Sequence, residues 1–193
     1  MAEVIAQTGR LRLVGWDEPR KAEFVRVTNT PAVMRWLGGV GTNEQMTAAL
    51  QRLDSYQRDF GFTFWAVERL SDGAMLGFCG LKRCNAPGGV PLHGQMEVGW
   101  RLREDVWGEG YAKEAAIASL DLALSAFAAP QVIALTAEGN LPSQGLMLRL
   151  GMRRRPELDF IDTRFPANRP PNPEYVFAIA AEDWPMAKAA ALA

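Results

Sequence analysis

Between Gln95 and Phe127 the chain switches its apolar period from two to 3.6 across a pair of glycines. This switch demands a fold in which a strand feeds directly into a helix. In Gln95–Leu102, Met96, Val98, Trp100 and Leu102 share one strand face, and Gln95, Glu97, Gly99 and Arg101 share the other. From Gly110 to Phe127, Ala112, Ala115, Ala116, Ser119, Leu120, Ala123, Leu124 and Phe127 form one apolar stripe of a helix. The alanines let that helix backbone lie close to a sheet. The connection is Trp107-Gly108-Glu109-Gly110-Tyr111-Ala112. Two glycines allow a tight turn and a close approach by a ligand. The helix start adds unpaired N–H groups and a positive dipole end, a combination suited to a pyrophosphate. A plain strand-to-helix turn accounts for the same glycines. The pattern is not a Walker motif, which needs Gly-Lys-Ser/Thr, nor a dinucleotide fingerprint, which needs three spaced glycines and a later acid.

The rest of the chain reads as a mixed α/β (α+β) protein. Leu11–Gly15 alternates as a short strand. Asp17 is placed to cap a helix with Pro19 in its first turn, and Thr42 with Gln45 has capping-box spacing for a second helix ending near Asp59. Between them, Asn29–Gly41 is loop-like, with a helical turn at Val33–Leu37. Phe62–Leu70 and Ala74–Cys84 form a hairpin around Ser71-Asp72-Gly73. Gln131–Thr136 is a strand, Pro142–Leu150 a short helix closed by Gly151, and Tyr175–Ala180 a last strand. Arg154–Pro173, with its prolines, is a long loop with a strand around Phe160, and Met186–Ala193 is a frayed helix. The order is strand, two helices, three strands, helix, strand, helix, strand: a mixed sheet with helices on both faces. With 193 residues and no linker or repeat, residues 1–193 are expected to form a single domain with its core at about 8–184.

Composition excludes several function classes. Lys+Arg number 21 against 22 Asp+Glu, a net charge of −1, without the basic surplus that nucleic-acid binders use. No stretch approaches the roughly 20 apolar residues of a membrane helix, and Met1–Thr8 lacks the basic start of a signal peptide. Cys79 and Cys84 lie an odd number of residues apart in one strand, which argues against a local disulfide; cytoplasm is the expected compartment. One histidine, His93, and two separated cysteines make no zinc site, and His93 reads as a solvated loop residue. No metal is expected.

Glu97-Val98-Gly99-Trp100, followed by Trp107 through Ala115, resembles the core of the GCN5-related N-acetyltransferases. Asn140-x-x-Ser143 and Leu148-Arg149-Leu150-Gly151-Met152 follow at that family's spacing. Thr8 through Leu13, Tyr175-Val176-Phe177 and Asp183-Trp184 are similar to its ribosomal-protein-alanine N-acetyltransferase-like branch, so the resemblance spans about 8–184. It implies acetyl-CoA as co-substrate and a splayed sheet. The strand Gln95–Leu102 would diverge from Gln131–Thr136, and a pantetheine arm would pair with the backbone of Val98, Gly99, Trp100, Arg101 and Leu102. The loop from Arg103 through Trp107, Gly108, Glu109, Gly110, Tyr111 and Ala112 would hold the pyrophosphate, and Asn140 would bond the pantetheine amides. Arg103 as a surface arginine and Asn140 as a turn residue are the alternatives.

Amide formation from a thioester and an amine needs a base for an amine of pKa about 8–10.4, and a donor for the leaving thiolate. The resemblance makes Glu97 the base and Ser143 the donor. The alternatives are a surface or cross-strand ion pair for Glu97 and a helix cap for Ser143. Three departures stand out. Trp107 replaces a usual Gln or Arg, Pro142 and Gly145 sit in a short helix, and Met147 stands where many members carry a tyrosine acid. The acceptor, a peptide N-terminus or small amine, would meet the loop Asn29–Gly41 and the stretch Arg154–Pro173, where Arg35, Trp36, Asp159, Asp162 and Arg164 are candidates. A monomer or homodimer is expected. Rival readings are a non-catalytic acyl-CoA-binding module and an unrelated nucleotide-binding or interaction domain.

Overall fold

The computed structural model describes residues 3–193; Met1 and Ala2, the first two residues of the Met1–Thr8 stretch read above, lie outside them. The strands are β1 (Val4–Gln7), β2 (Leu11–Val14), β3 (Phe64–Arg69), β4 (Met75–Arg83), β5 (Met96–Leu102), β6 (Gln131–Ala137), β7 (Arg153–Arg154) and β8 (Glu174–Ala180). The helices are α1 (Glu18–Thr28), α2 (Pro31–Met34), α3 (Asn43–Phe60), α4 (Tyr111–Asp121), α5 (Leu141–Arg149) and α6 (Trp184–Leu192). Strands pair in the order β1-β2-β3-β4-β5-β6-β8-β7, a mixed, mainly antiparallel sheet. The backbone divides into two compact units.

The first unit comprises residues 1–35, 39–82 and 99–119. Here β1 to β4 form an antiparallel meander, with Leu11 opposite Arg69 and Trp65 opposite Cys79. Alternation along β2 buries Leu11 and Leu13 completely. Asp17 accepts from the Arg20 N–H to start α1 with Pro19 in its first turn, and Thr42 with Gln45 completes a capping box on α3. Val14, Phe24, Val27, Ala66, Met75 and Phe78 close one core cluster. The Cys79 thiol is buried beside the Ser119 hydroxyl, 3.4 Å away. Burial pushes it up to about 12, so it stays protonated and unreactive.

The second unit comprises residues 36–38, 83–98 and 120–193. Seven residue pairs join β6 to β8 antiparallel, and the two-residue β7 extends the edge. The parallel ladder between β5 and β6 holds only Met96↔Val132 and Glu97↔Ile133, although β5 runs on to Leu102 and β6 to Ala137. A core cluster of Cys84, Ala86, Leu92, Ile133, Val176 and Ala178 lies here. Cys79 and Cys84 are both free and buried, and His93 is an exposed loop residue bonded to the Ala86 carbonyl.

Several boundaries differ from those read in the sequence. The strand β1 was not expected, because four residues with half-exposed side chains carry no clear alternation. The turn expected at Val33–Leu37 starts two residues earlier, as α2, where Thr30 caps and Pro31 sets the first φ. The helix expected to run to Phe127 stays regular to Asp121 and then opens into a π-type turn at Leu122–Ala126, leaving Phe127 exposed. Phe160 makes a single bridge to Glu174 rather than a strand. The C-terminal segment is an ordered helix whose Trp184 Nε1 and Lys188 Nζ both donate to Asp121.

Candidate active site

In the first unit, Gly108 and Gly110 have φ of +82° and +80°, the left-handed region that glycine enters without cost. The first N–H of α4 with a helical partner is that of Glu114, which donates to Gly110 O at 3.1 Å. From Gly108 to Ala112 the backbone N–H groups have no protein acceptor among the described residues. A side chain built on Gly108 would meet nothing within 4 Å. The turn is therefore open and rich in uncommitted donors at the positive end of an 11-residue helix, a charge and geometry that fit a diphosphate.

The turn is braced from behind by residues whose role the sequence did not disclose. Glu114 accepts from Thr8 Oγ1 at 2.6 Å, from the Arg10 N–H at 2.8 Å and from Arg10 Nε at 2.7 Å. Arg10 Nη1 donates to Glu109 O at 3.0 Å, and its guanidinium lies 4.4 Å from the Tyr111 ring centroid. Burial pushes the Glu114 carboxyl up, but the bonds from Thr8 and Arg10 outweigh it and hold the group below the ordinary glutamate value. A separation of 104 residues hides this brace from any local reading of the sequence.

Along β5, Gly99 is a glycine because a Cβ there would come within 2.9 Å of the Phe64 ring. The close neighbour of this glycine is thus a side chain. Val98 is buried; Trp100 and Arg101 are half-buried. Arg103 pairs with Asp105 at 2.6 and 2.8 Å, and its Nη1 donates to Met75 O at 3.5 Å. Trp107 is 53% exposed and anchored by its Nε1 to Leu102 O, leaving its ring on the surface beside the turn.

In the second unit, Glu97 is buried, so of its two alternative readings the surface ion pair falls away and the cross-strand one stands. Its charge acts on Arg164: that guanidinium is held above its ordinary value first by its hydrogen bond to Asp162, then by the charges of Asp162, Glu174 and Glu97, against desolvation. Asp162 is buried, accepts from the Arg164 N–H and Nε at 2.9 and 3.0 Å, and is tied through its backbone to Asn172. Asp159 is matched to Arg154 and the Val176 N–H. The two acids expected for an acceptor site thus already carry arginine partners.

Asn140 caps α5: its Oδ1 accepts from the Ser143 N–H at 3.5 Å. Ser143 is therefore not the cap, and its hydroxyl is half-buried in the first turn. Met147 is buried. The Trp36 ring covers Gly139, where a Cβ would lie 2.6 Å from it. Arg35 is exposed.

The model of the acetyltransferase (GNAT) domain matches residues 10–153, a stretch that includes β5, the open turn, Asn140 and Ser143. The chain belongs to the GNAT acetyltransferase family. It is an acyltransferase, and acetyl-CoA is the family's donor. It is 29% identical over 146 residues to uncharacterized protein YkkB of Bacillus subtilis (strain 168), covering 75% of this chain and 83% of that protein. Over 88 residues it is 33% identical to uncharacterized N-acetyltransferase YnaD of the same organism, 46% of this chain and 50% of that one. Among solved structures it is similar to Mycobacterium smegmatis RimJ in complex with CoA-disulfide, with TM-score 0.74 and 17% identity over 94% of this chain and 87% of that one. The ribosomal-protein-S5-alanine acetyltransferase of Vibrio fischeri shares the fold with TM-score 0.72 and 14% identity, over 94% and 99%.

Proposed function

We propose that this acyltransferase moves the acetyl group of acetyl-CoA to a primary amine, of a protein N-terminus or a small molecule, by direct attack of the amine on the thioester. The open turn at Gly108–Ala112 carries this reading, because its uncommitted N–H groups suit the diphosphate of coenzyme A. Beyond the two-pair ladder of β5, the backbone of Val98, Gly99, Trp100, Arg101 and Leu102 is available to the pantetheine amides. Asn140 acts by holding the first turn of α5 and with it the Ser143 hydroxyl.

Glu97 accepts the proton of the amine, directly or through a water. The nitrogen lone pair then forms the C–N bond as the C–S bond breaks and its electron pair stays on sulfur. The Ser143 hydroxyl donates a hydrogen bond to the leaving thiolate, which takes up, through water, the proton that the new amide nitrogen sheds. Burial suits Glu97 to this task, since charge in a sheltered site acts strongly on a neighbouring ammonium. Residues 1–193 act as one acyltransferase domain, a monomer or homodimer in the cytoplasm. The net charge of −1 and two unbridged thiols accord with that setting and with a partner other than nucleic acid.

The test is acetyl-CoA turnover across amines, aminoglycosides, amino acids and N-terminal peptides, with Glu97→Gln and Ser143→Ala alongside. Glu97→Gln is expected to lower kcat about 100-fold and flatten the acidic limb of the pH–rate profile. An unchanged rate would remove Glu97 from the reaction. A kcat for Ser143→Ala within about twofold of the parent would remove Ser143, since lost acid–base help costs far more.

A further inference from the structure

Arg101 lies at the end of β5, on the strand face that also carries Glu97 and Gly99. Its surroundings within the first unit are apolar. The guanidinium carbon sits 5.0 Å from the ring centroids of both Phe24 and Phe78, and Nη1 lies 3.5 Å from the Met34 sulfur. Phe78 stacks on Phe24 at 5.2 Å and on Phe64 at 4.8 Å, so the cation rests against an aromatic ladder. Its Nε is sealed from solvent and has no hydrogen-bond partner. Among the described residues no carboxylate lies within salt-bridge reach of it. The sheltered arginines Arg20 and Arg154, by contrast, are each matched to acids, Arg20 to Glu68 and Asp17, Arg154 to Asp159. Desolvation alone moves the Arg101 guanidinium, down to about 10, which leaves it a cation at neutral pH.

A guanidinium desolvated without a counter-ion is unfavourable, and ring faces offset only part of that. A structural role would be served as well by methionine or leucine in such a setting. The residue as a whole is nevertheless only partly buried. Met34 belongs to α2, inside the Asn29–Gly41 segment where the sequence placed the acceptor.

We propose that Arg101 is a specificity-determining residue whose guanidinium binds a carboxylate carried by the amine acceptor, making the preferred substrate an amino-carboxylate with apolar character. The assignment rests on the acetyl-transfer reading above. A carboxylate accepts two parallel N–H bonds from the guanidinium fork, a geometry that lysine cannot reproduce.

The experiment compares ω-amino acids of two to six carbons with alkylamines of equal length, as acceptors for the full chain and for Arg101→Met and Arg101→Lys. The parent is expected to favour at least one amino acid over its matching amine by tenfold or more in kcat/KM, chiefly through KM. Arg101→Met should erase that preference, and Arg101→Lys should keep a part of it. Calorimetric binding of acetyl-CoA to each variant and circular dichroism confirm that each is folded. Should Arg101→Met not fold, the loss of preference on going to Arg101→Lys decides the matter. Equal use of amino acids and amines by the parent, or a preference unchanged in the variants, would overturn the assignment. Failure of the parent to bind acetyl-CoA would overturn the acetyl-transfer reading and this assignment with it.

Discussion

Two strand-to-helix turns in this molecule contain glycine and do opposite things with it. The turn before α4 has glycines at φ near +80°, leaves the N–H groups of Gly108–Ala112 without protein acceptors, and keeps open space beside Gly108. The turn before α5 closes on itself. Asn140 caps it, Gln144 Nε2 donates to the Glu138 carbonyl at 2.6 Å, and Trp36 covers Gly139. A turn that satisfies its own donors holds its helix in place; one that keeps its donors in reserve, braced by Arg10 and Glu114 from behind, has the geometry we propose for the diphosphate.

The comparison breaks most visibly at Gly110. Valine at φ +80° is strained, and its Cβ would come to 3.4 Å of Arg10 Nη2. Gly110→Val should raise the Kd for acetyl-CoA more than tenfold, read by calorimetry. An unaltered Kd would mean that this turn does not meet the ligand. At the closed turn the expected effect is on stability instead. Asn140→Ala removes a cap and should cost about 1 kcal/mol, seen as a Tm lower by about 2–4 °C, with acetyl-CoA affinity changed far less than by Gly110→Val.

The smallest effect concerns the brace. The Glu114 carboxyl is held below its ordinary value in the fold, so its contribution is present above about pH 4.3 and is lost as pH falls through the folded-state value. Glu114→Gln should therefore remove a component of acid destabilisation below that pH. Arg10 is about half exposed, so the component should stay below about 1 kcal/mol. Denaturant melts at pH 7 and pH 3.5 measure it; equal differences between parent and variant at the two values would discard the brace.

What the sequence disclosed follows from range. Local signals were legible: the Thr42–Gln45 capping box, the hairpin turn at Asp72-Gly73, the alternation of β5 and the paired glycines before α4 each act over a few residues. The mixed α/β fold followed from them. What was not legible depends on residues far apart in the chain. The Thr8–Arg10–Glu114 brace, the burial of Glu97 near Arg164, and the aromatic ladder under Arg101 all join distant segments. Asp159 and Asp162 looked like ligand groups because an acid in a proline-rich loop carries no mark of its arginine partner. The alternative reading of Ser143 as a cap rested on serine's preference for that role, and only the fold shows Asn140 in that place.

The claim on which the account turns is that the backbone amides of residues 108–112 bind the coenzyme's diphosphate. Titration of the isotopically labelled protein with coenzyme A, followed by amide NMR, tests it directly. The account predicts that the amides of Gly108 through Ala112 shift together and saturate with one affinity, and that pyrophosphate alone moves the same set. Saturable binding that left those amides unmoved while shifting others would contradict it.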